Sequence, residues 1–215
     1  MRNINRRYGK RYKNIIISHV QHNLKEYIII GIIFIIGILL GIVFVNNLNE
    51  VQTEEIDLYI TSSITALKEN KDINELQTLQ DSIKNNITVA TLLWLMGSTV
   101  IGLLLVYLIV CFKGFCFGYT ISALIYVLGT GKGIIFFMCT MFLKNIIAIP
   151  CTIALAVSGM RLYKSIMQDR RKENIKLEVL RHTIFSAFIL LLLIASSFIE
   201  VYTSQALLNY CIKYL

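Results

Sequence analysis

Apolar residues gather in five long runs along the chain, over 27–45, 89–110, 115–128, 134–157 and 183–199. A helix needs about 20 such residues to cross a bilayer. The first run carries no charge, and the third is short enough to borrow flanking residues. The pattern predicts an all-α integral membrane protein with about five transmembrane helices in a single domain over 1–215. Between the first two runs the period changes. Ile56, Ile60, Ile64 and Leu67 fall at helical spacing, and so do Ile73, Leu76, Leu79, Ile83 and Ile87. Asp72 followed by Glu75 fits a capping box at the start of the second stripe. Segment 46–88 is therefore expected to form a helical hairpin outside the membrane. Neither stripe alone would hold a helix in water, so each must pack on its mate, on the spans or on another protein. Ile56, Ile60, Ile64, Ile73, Leu76 and Ile83 form the expected partner surface.

Charge gives the orientation. Seven basic residues precede Glu26, segment 46–88 holds eight acids against three bases, and 159–182 holds seven bases against three acids. Cytoplasmic loops carry the excess of Lys and Arg. The expectation is N-terminus in, hairpin out, the 159–182 loop in and the 200–215 tail out. Segment 14–27 has Ile15, Ile16, Ile17, Val20 and Leu24 beside basic residues. It reads either as an interfacial helix on anionic lipid or as a plain basic flank. His19 and His22 lie three apart there, with no third ligand in view for a metal.

Composition agrees with a membrane protein: 56% of residues are hydrophobic and 16% charged, against about 25% charged in a soluble domain. No basic stripe is interleaved with aromatics, which argues against nucleic acid. Cys111, Cys116, Cys139, Cys151 and Cys211 form no CxxC pair and read as packing residues. No cofactor or metal is expected.

The fourth run contains Lys144, Asn145 and Pro150. A charge inside a span costs about 2.5–3.5 kcal/mol on insertion scales. Proline removes a helical hydrogen bond, and an asparagine amide can serve the groups so released. The trio predicts a kinked or broken fourth span, tolerated only against protein or a wet cavity. Glu200 reads as lying at the outer end of the last span, too far along to balance Lys144, and Lys113 as sitting at a cytoplasmic turn. Gly37 and Gly41, like Gly114 and Gly118, lie four apart, the spacing that lets helix backbones approach in lipid. They would line either the monomer interior or a homodimer seam. The run "GTGKG" at 129–133 lacks Walker spacing and reads as a tight turn. The spans show no paired carboxylates and no Ser/His or Cys/His set, so no enzyme is expected.

The stretch "LLWLMGSTVIGLLLVYLIVCFKGFCFGYTISAL", then "GKGIIFF", then "KNIIAIP", resembles the stage II sporulation protein M family. The likeness rests on Trp94, Gly97, Gly102, Lys113-Gly114 with Gly118, Gly131-Lys132-Gly133, and Asn145 ahead of Ile149-Pro150. Leu143 and Lys144 depart from the family pattern, which commonly has a proline and then a neutral polar residue or histidine there. The resemblance implies a scaffold in endospore engulfment, in the mother-cell membrane at the septum and engulfing membrane. Its partners would be a lytic transglycosylase and an amidase/endopeptidase, both peptidoglycan-degrading, besides membrane lipids. The alternative from another class is a small transporter or channel with its site at the broken fourth span.

Orientation is directly testable. Single cysteines introduced into a cysteine-free variant at residues 70 and 170 should differ toward an impermeant thiol reagent. Labelling from outside is expected at 70 and not at 170; the reverse pattern would overturn the assignment.

Overall fold

The computed structural model describes residues 23–68, 75–99, 102–168 and 175–211, and every regular element in them is helical. The uncharged isoleucine-rich run becomes α1, Leu24–Asn46. It stops at an asparagine pair, where Asn47 donates its side-chain amide to the Val43 carbonyl at 2.7 Å. Helix α2, Glu50–Lys68, starts immediately after. The Gln52 side chain there accepts the Asn49 backbone N–H at 3.2 Å, one half of a capping box. Helix α3 is Glu75–Gly97 and α4 is Gly102–Leu128. Gly129, with φ +79°, turns the chain into α5, Thr130–Phe137. A π-helical turn, Met138–Phe142, leads into α6, Leu143–Gln168, and α7 spans Ile175–Cys211.

Leu24–Asn46, Gly102–Leu128, Lys144–Met167 and Ile175–Tyr202 are each long and apolar enough to cross a membrane. Their outward faces carry large apolar side chains, among them Ile32, Leu39, Leu104, Leu108, Phe188 and Leu191. A water-soluble surface would not carry so much contiguous apolar area. The protein is an all-α membrane protein. Helix α3 is too polar to count by composition, yet it lies alongside α7 from Ser82, near Glu200, to Trp94, near Thr183. Those twelve residues rise about 18 Å.

Three sequence expectations are corrected here. The break placed between 110 and 115 falls inside α4, which is continuous; α3 ends at Gly97 and the chain turns at Ser98 and Thr99 instead. There Ser98 and Thr99 hydroxyls take up the Trp94 and Met96 carbonyls, and a Cβ on Gly102 would strike Met96. A run of apolar residues does not show where a turn lies when its flanks are also apolar. Second, α2 and α3 make no close backbone contact among the described residues, so they are no closed hairpin. Helix α2 lays Ile64 on Leu124, Phe136 and Phe137, while α3 joins the bundle. Third, "GTGKG" is a turn only at Gly129; the rest begins α5. Residues 14–22, including His19 and His22, and also Ile73 and Asp72, lie outside the described residues.

The core sits where α1, α3, α4, α6 and α7 meet, around Ile30, Leu93, Val106, Leu155, Met160 and Leu193. Helix α6 is its axis, touching each of the other four. Helices α1 and α4 run parallel and close. A Cβ on Gly37 or Gly41 would meet the backbone of Cys111 or Phe115, and one on Gly114 or Gly118 that of Phe34 or Ile38. The two glycine pairs thus face each other inside the monomer. Aromatic rings flank the seam, with Phe44 edge-on to Phe115 at 5.5 Å between centroids. At one end Lys164 pairs with Glu26 at 2.6 Å, fastening α6 to α1.

Gly118→Ala should therefore lower stability by about 1–3 kcal/mol through forced separation of the two backbones. Gly31→Ala, with nothing within 4 Å of the new methyl, should be neutral or slightly stabilising. Thermal unfolding in one detergent checks both, and equal effects would refute the close-packing account.

Candidate functional site

Two polar clusters lie inside the bundle, and the larger one centres on Glu200. Lys144 Nζ lies 2.8 Å from Oε1 and 2.7 Å from Oε2 of Glu200, with both side chains 18% exposed. The Ser82 hydroxyl donates to the same carboxylate. Ser82 and Ser197 hydroxyls are 3.0 Å apart. The Asn86 amide donates to Ser197 Oγ at 2.8 Å and to the Leu193 carbonyl at 3.0 Å. Ser82, Asn86 and Ser197 are all buried. Three helices supply this chain of contacts: α3 through Ser82 and Asn86, α6 through Lys144, and α7 through Ser197 and Glu200. Asparagine and serine hydrogen bonds across helices are the usual polar glue in lipid.

This overturns the expectation that no acid reaches Lys144. Helix α7 places Glu200 against the start of α6, and the π-helical turn sets the register. A π turn inserts an extra residue into an α-helical ladder and rotates the residues beyond it. The interruption lies at Met138–Phe142, not at Pro150, which is exposed inside a continuous α6. Asn145 donates to the Met141 carbonyl at 2.8 Å, and Thr140 to that of Phe136 at 2.8 Å, so side chains serve backbone groups of the turn.

Lys113 also moves relative to expectation. It lies eleven residues into α4, about 17 Å along it, and not at a turn. Its side chain lines a cavity of about 50 Å³ shared with Lys144, Asn145, Asn86 and Thr152. Among the described residues nothing hydrogen-bonds or ion-pairs with its ammonium, which nevertheless feels the charges of Lys144 and Glu200.

The smaller cluster lies at the opposite end of the bundle. Ser158 Oγ and His182 Nδ1 are 2.9 Å apart, both buried, beside Trp94 Nε1, which donates to Thr183 at 3.2 Å. The sequence shows no Ser/His set by spacing; folding makes one from residues 24 apart. They border a cavity of about 190 Å³ with Arg161, Arg181 and Glu178. The second ring nitrogen of His182 is buried with no hydrogen-bond partner among the described residues. The pair is a polar clasp where Gly97 and Gly159 bring α3 and α6 together.

The expected partner surface divides. Ile64 is buried, Ile56, Ile60 and Ile83 are half-buried, and Leu76 is exposed. Val51, Leu58 and Tyr59 of α2 are exposed by 68%, 63% and 75%. Among the described residues no group of three His, Cys, Asp or Glu side chains could hold a metal. Cys111, Cys116 and Cys151 are free thiols, whereas Cys139 is disulfide-bonded, against its reading as a packing residue. The sequence signals that could have found the large cluster are Ser82 and Asn86, four apart on one face, and Ser197 with Glu200, three apart.

Breaking a buried pair by removing one partner costs about 3–5 kcal/mol. Lys144→Leu and Glu200→Leu should each destabilise the protein by roughly that amount. The double variant should recover much of the loss, because no lone charge remains. A double-mutant cycle from unfolding in detergent measures the coupling; additive losses would show that the pair does not interact.

The family model for stage II sporulation protein M matches residues 30–205. That span takes in most or all of each helix of the bundle and both polar clusters. No curated protein and no solved structure matches the chain. A match over that much of the chain is decisive: the chain belongs to the stage II sporulation protein M family.

Proposed function

We propose that this sporulation-family membrane protein is a scaffold with no catalytic activity of its own, and that it positions peptidoglycan-degrading enzymes at the engulfing membrane. The orientation proposed from charge puts α2 outside, on the side of the cell wall. Bases Lys25, Arg161, Lys164, Lys176 and Arg181 gather at one end of the bundle, and acids Glu50, Glu54, Glu55 and Asp57 at the other. A disulfide at Cys139 suits an oxidising exterior.

The observation that carries the reading is α2 itself. It rests on the bundle through one stripe and leaves a cavity of about 450 Å³ open beside α4 and α5. Ile56, Tyr59 and Ile60 form one wall, and Tyr119, Leu124 and Phe136 the other. Glu55 lies at this apolar groove, and α2 carries Glu50, Glu54 and Asp57 besides, so it suits an apolar segment flanked by basic residues. The acids would set partner choice and encounter rate more than affinity. The lytic transglycosylase and the amidase/endopeptidase are the proposed occupants, in the mother-cell membrane at the septum.

Replacing Ile56 and Tyr59 with Ser should release both enzymes from the purified complex of sporulating cells while the protein stays in the membrane. Ile64→Ser, by contrast, should lower the amount of folded protein, since Ile64 is core. Intact recruitment both in the double variant and with α2 exchanged for a Gly/Ser linker would sink the reading. Ion flux from the purified protein in liposomes would favour the transporter instead.

A further inference from the structure

We propose that the cavity between α3, α4 and α6 binds a small inorganic anion, with chloride the simplest, between the ammonium groups of Lys113 and Lys144. Charge balance is the first argument. Lys113 and Lys144 line one cavity, and Glu200 is ion-paired to Lys144, so among the described residues one ammonium is left without a counter-charge in contact. Ionisable groups inside membrane bundles pair with one another or mark an ion's path. Lys144 already has its partner; Lys113 has none among the described residues.

Donor balance points the same way. The Asn86 amide protons are taken by Leu193 and Ser197, and the Thr152 hydroxyl is taken by Ala148. Asn145 spends one amide proton on Met141 and keeps another. Lys144 spends its donors partly on Glu200, and Lys113 keeps all three. The wall therefore keeps free N–H donors on Lys113 and Asn145 for a ligand, beside the amide oxygens of Asn86 and Asn145. Phe34, Val110, Phe117 and Ile153 complete the wall and keep the local dielectric low, which strengthens attraction to an anion. Size sets the class. About 50 Å³ suits a small ion such as a halide better than an organic acid.

The full chain in nanodiscs, melted in gluconate buffer, should gain thermal stability saturably as chloride replaces gluconate at constant ionic strength. Bromide should act alike and sulfate should not. Lys113→Met should abolish the chloride effect, since Lys144 and Glu200 then balance. Lys144→Met should abolish it too, because Lys113 and Glu200 then balance. Glu200→Gln should strengthen it, lowering the half-saturating chloride by about tenfold, which a lysine of merely structural role would not produce. Bromide anomalous diffraction from the wild-type protein checks the same site without a variant, and a peak between the two ammoniums is expected. No saturable chloride dependence in the wild type, an equal dependence in Lys113→Met, or no bromide peak there would overturn the proposal.

Discussion

A lysine inside a helical bundle in lipid has to be answered by another helix, because no water is at hand to solvate it and leaving it unpaired costs several kcal/mol. Much of this architecture follows from that requirement at Lys144. Its ammonium binds Glu200, so α7 must pass the start of α6 at a fixed height. Glu200 in turn engages Ser82, so α3 must pass on the same side. The polar residues of α3 look unfit for a membrane in isolation, but they are turned inward, where Ser197 and the Leu193 carbonyl satisfy them. One charge thus selects the packing of three helices. This is specificity more than stability, since an apolar trio of similar volume could hold as well.

The other half of the bundle is built without charge. Helices α1 and α4 approach so closely at Gly37, Gly41, Gly114 and Gly118 that backbone meets backbone. In lipid no hydrophobic force drives helices together, so close contact and dispersion have to suffice. The two modes meet at α4, whose glycine face holds α1 while its Lys113 looks into the polar cavity. The outer helix α2 is fixed by neither mode. It is seated through Ile60 and Ile64 on the end of the bundle, with a groove left beside it. An element held by one narrow stripe is suited to exchanging contacts with a partner.

The two ends of the bundle also differ in chemistry. One carries the basic flanks, the Lys164–Glu26 pair and the buried Ser158–His182 clasp. The other carries the acidic α2 and the disulfide-bonded Cys139. Among the described residues, the polar interior between them lies where α3, α6 and α7 converge, with Lys113 of α4 beside it. Spans locked in this way hold the groove beside α2 at a constant place relative to the bundle.

Composition, hydropathy and the order of charges were enough for the class and for an expected sidedness, because transfer of apolar residues into lipid is local and additive along the chain. The family was legible in short glycine- and lysine-bearing motifs for the same local reason. Helical periodicity likewise located α2 and α3, since each stripe is a property of one helix. Register and partnership are different in kind. Whether the apolar stretch from Leu92 to Leu128 turns at 98 or at 113 depends on which residues of α3 find partners on α7. Lys144 and Glu200 are 56 residues apart, and Ser82 and Glu200 are 118 apart. No local pattern reports such pairings. The sequence alone left α2 and α3 as a hairpin because it showed two apolar stripes without showing their mates. Tertiary structure assigned those mates, sending α2 to the outer end and α3 inside, because buried polar groups and charges are satisfied only by groups that folding brings together.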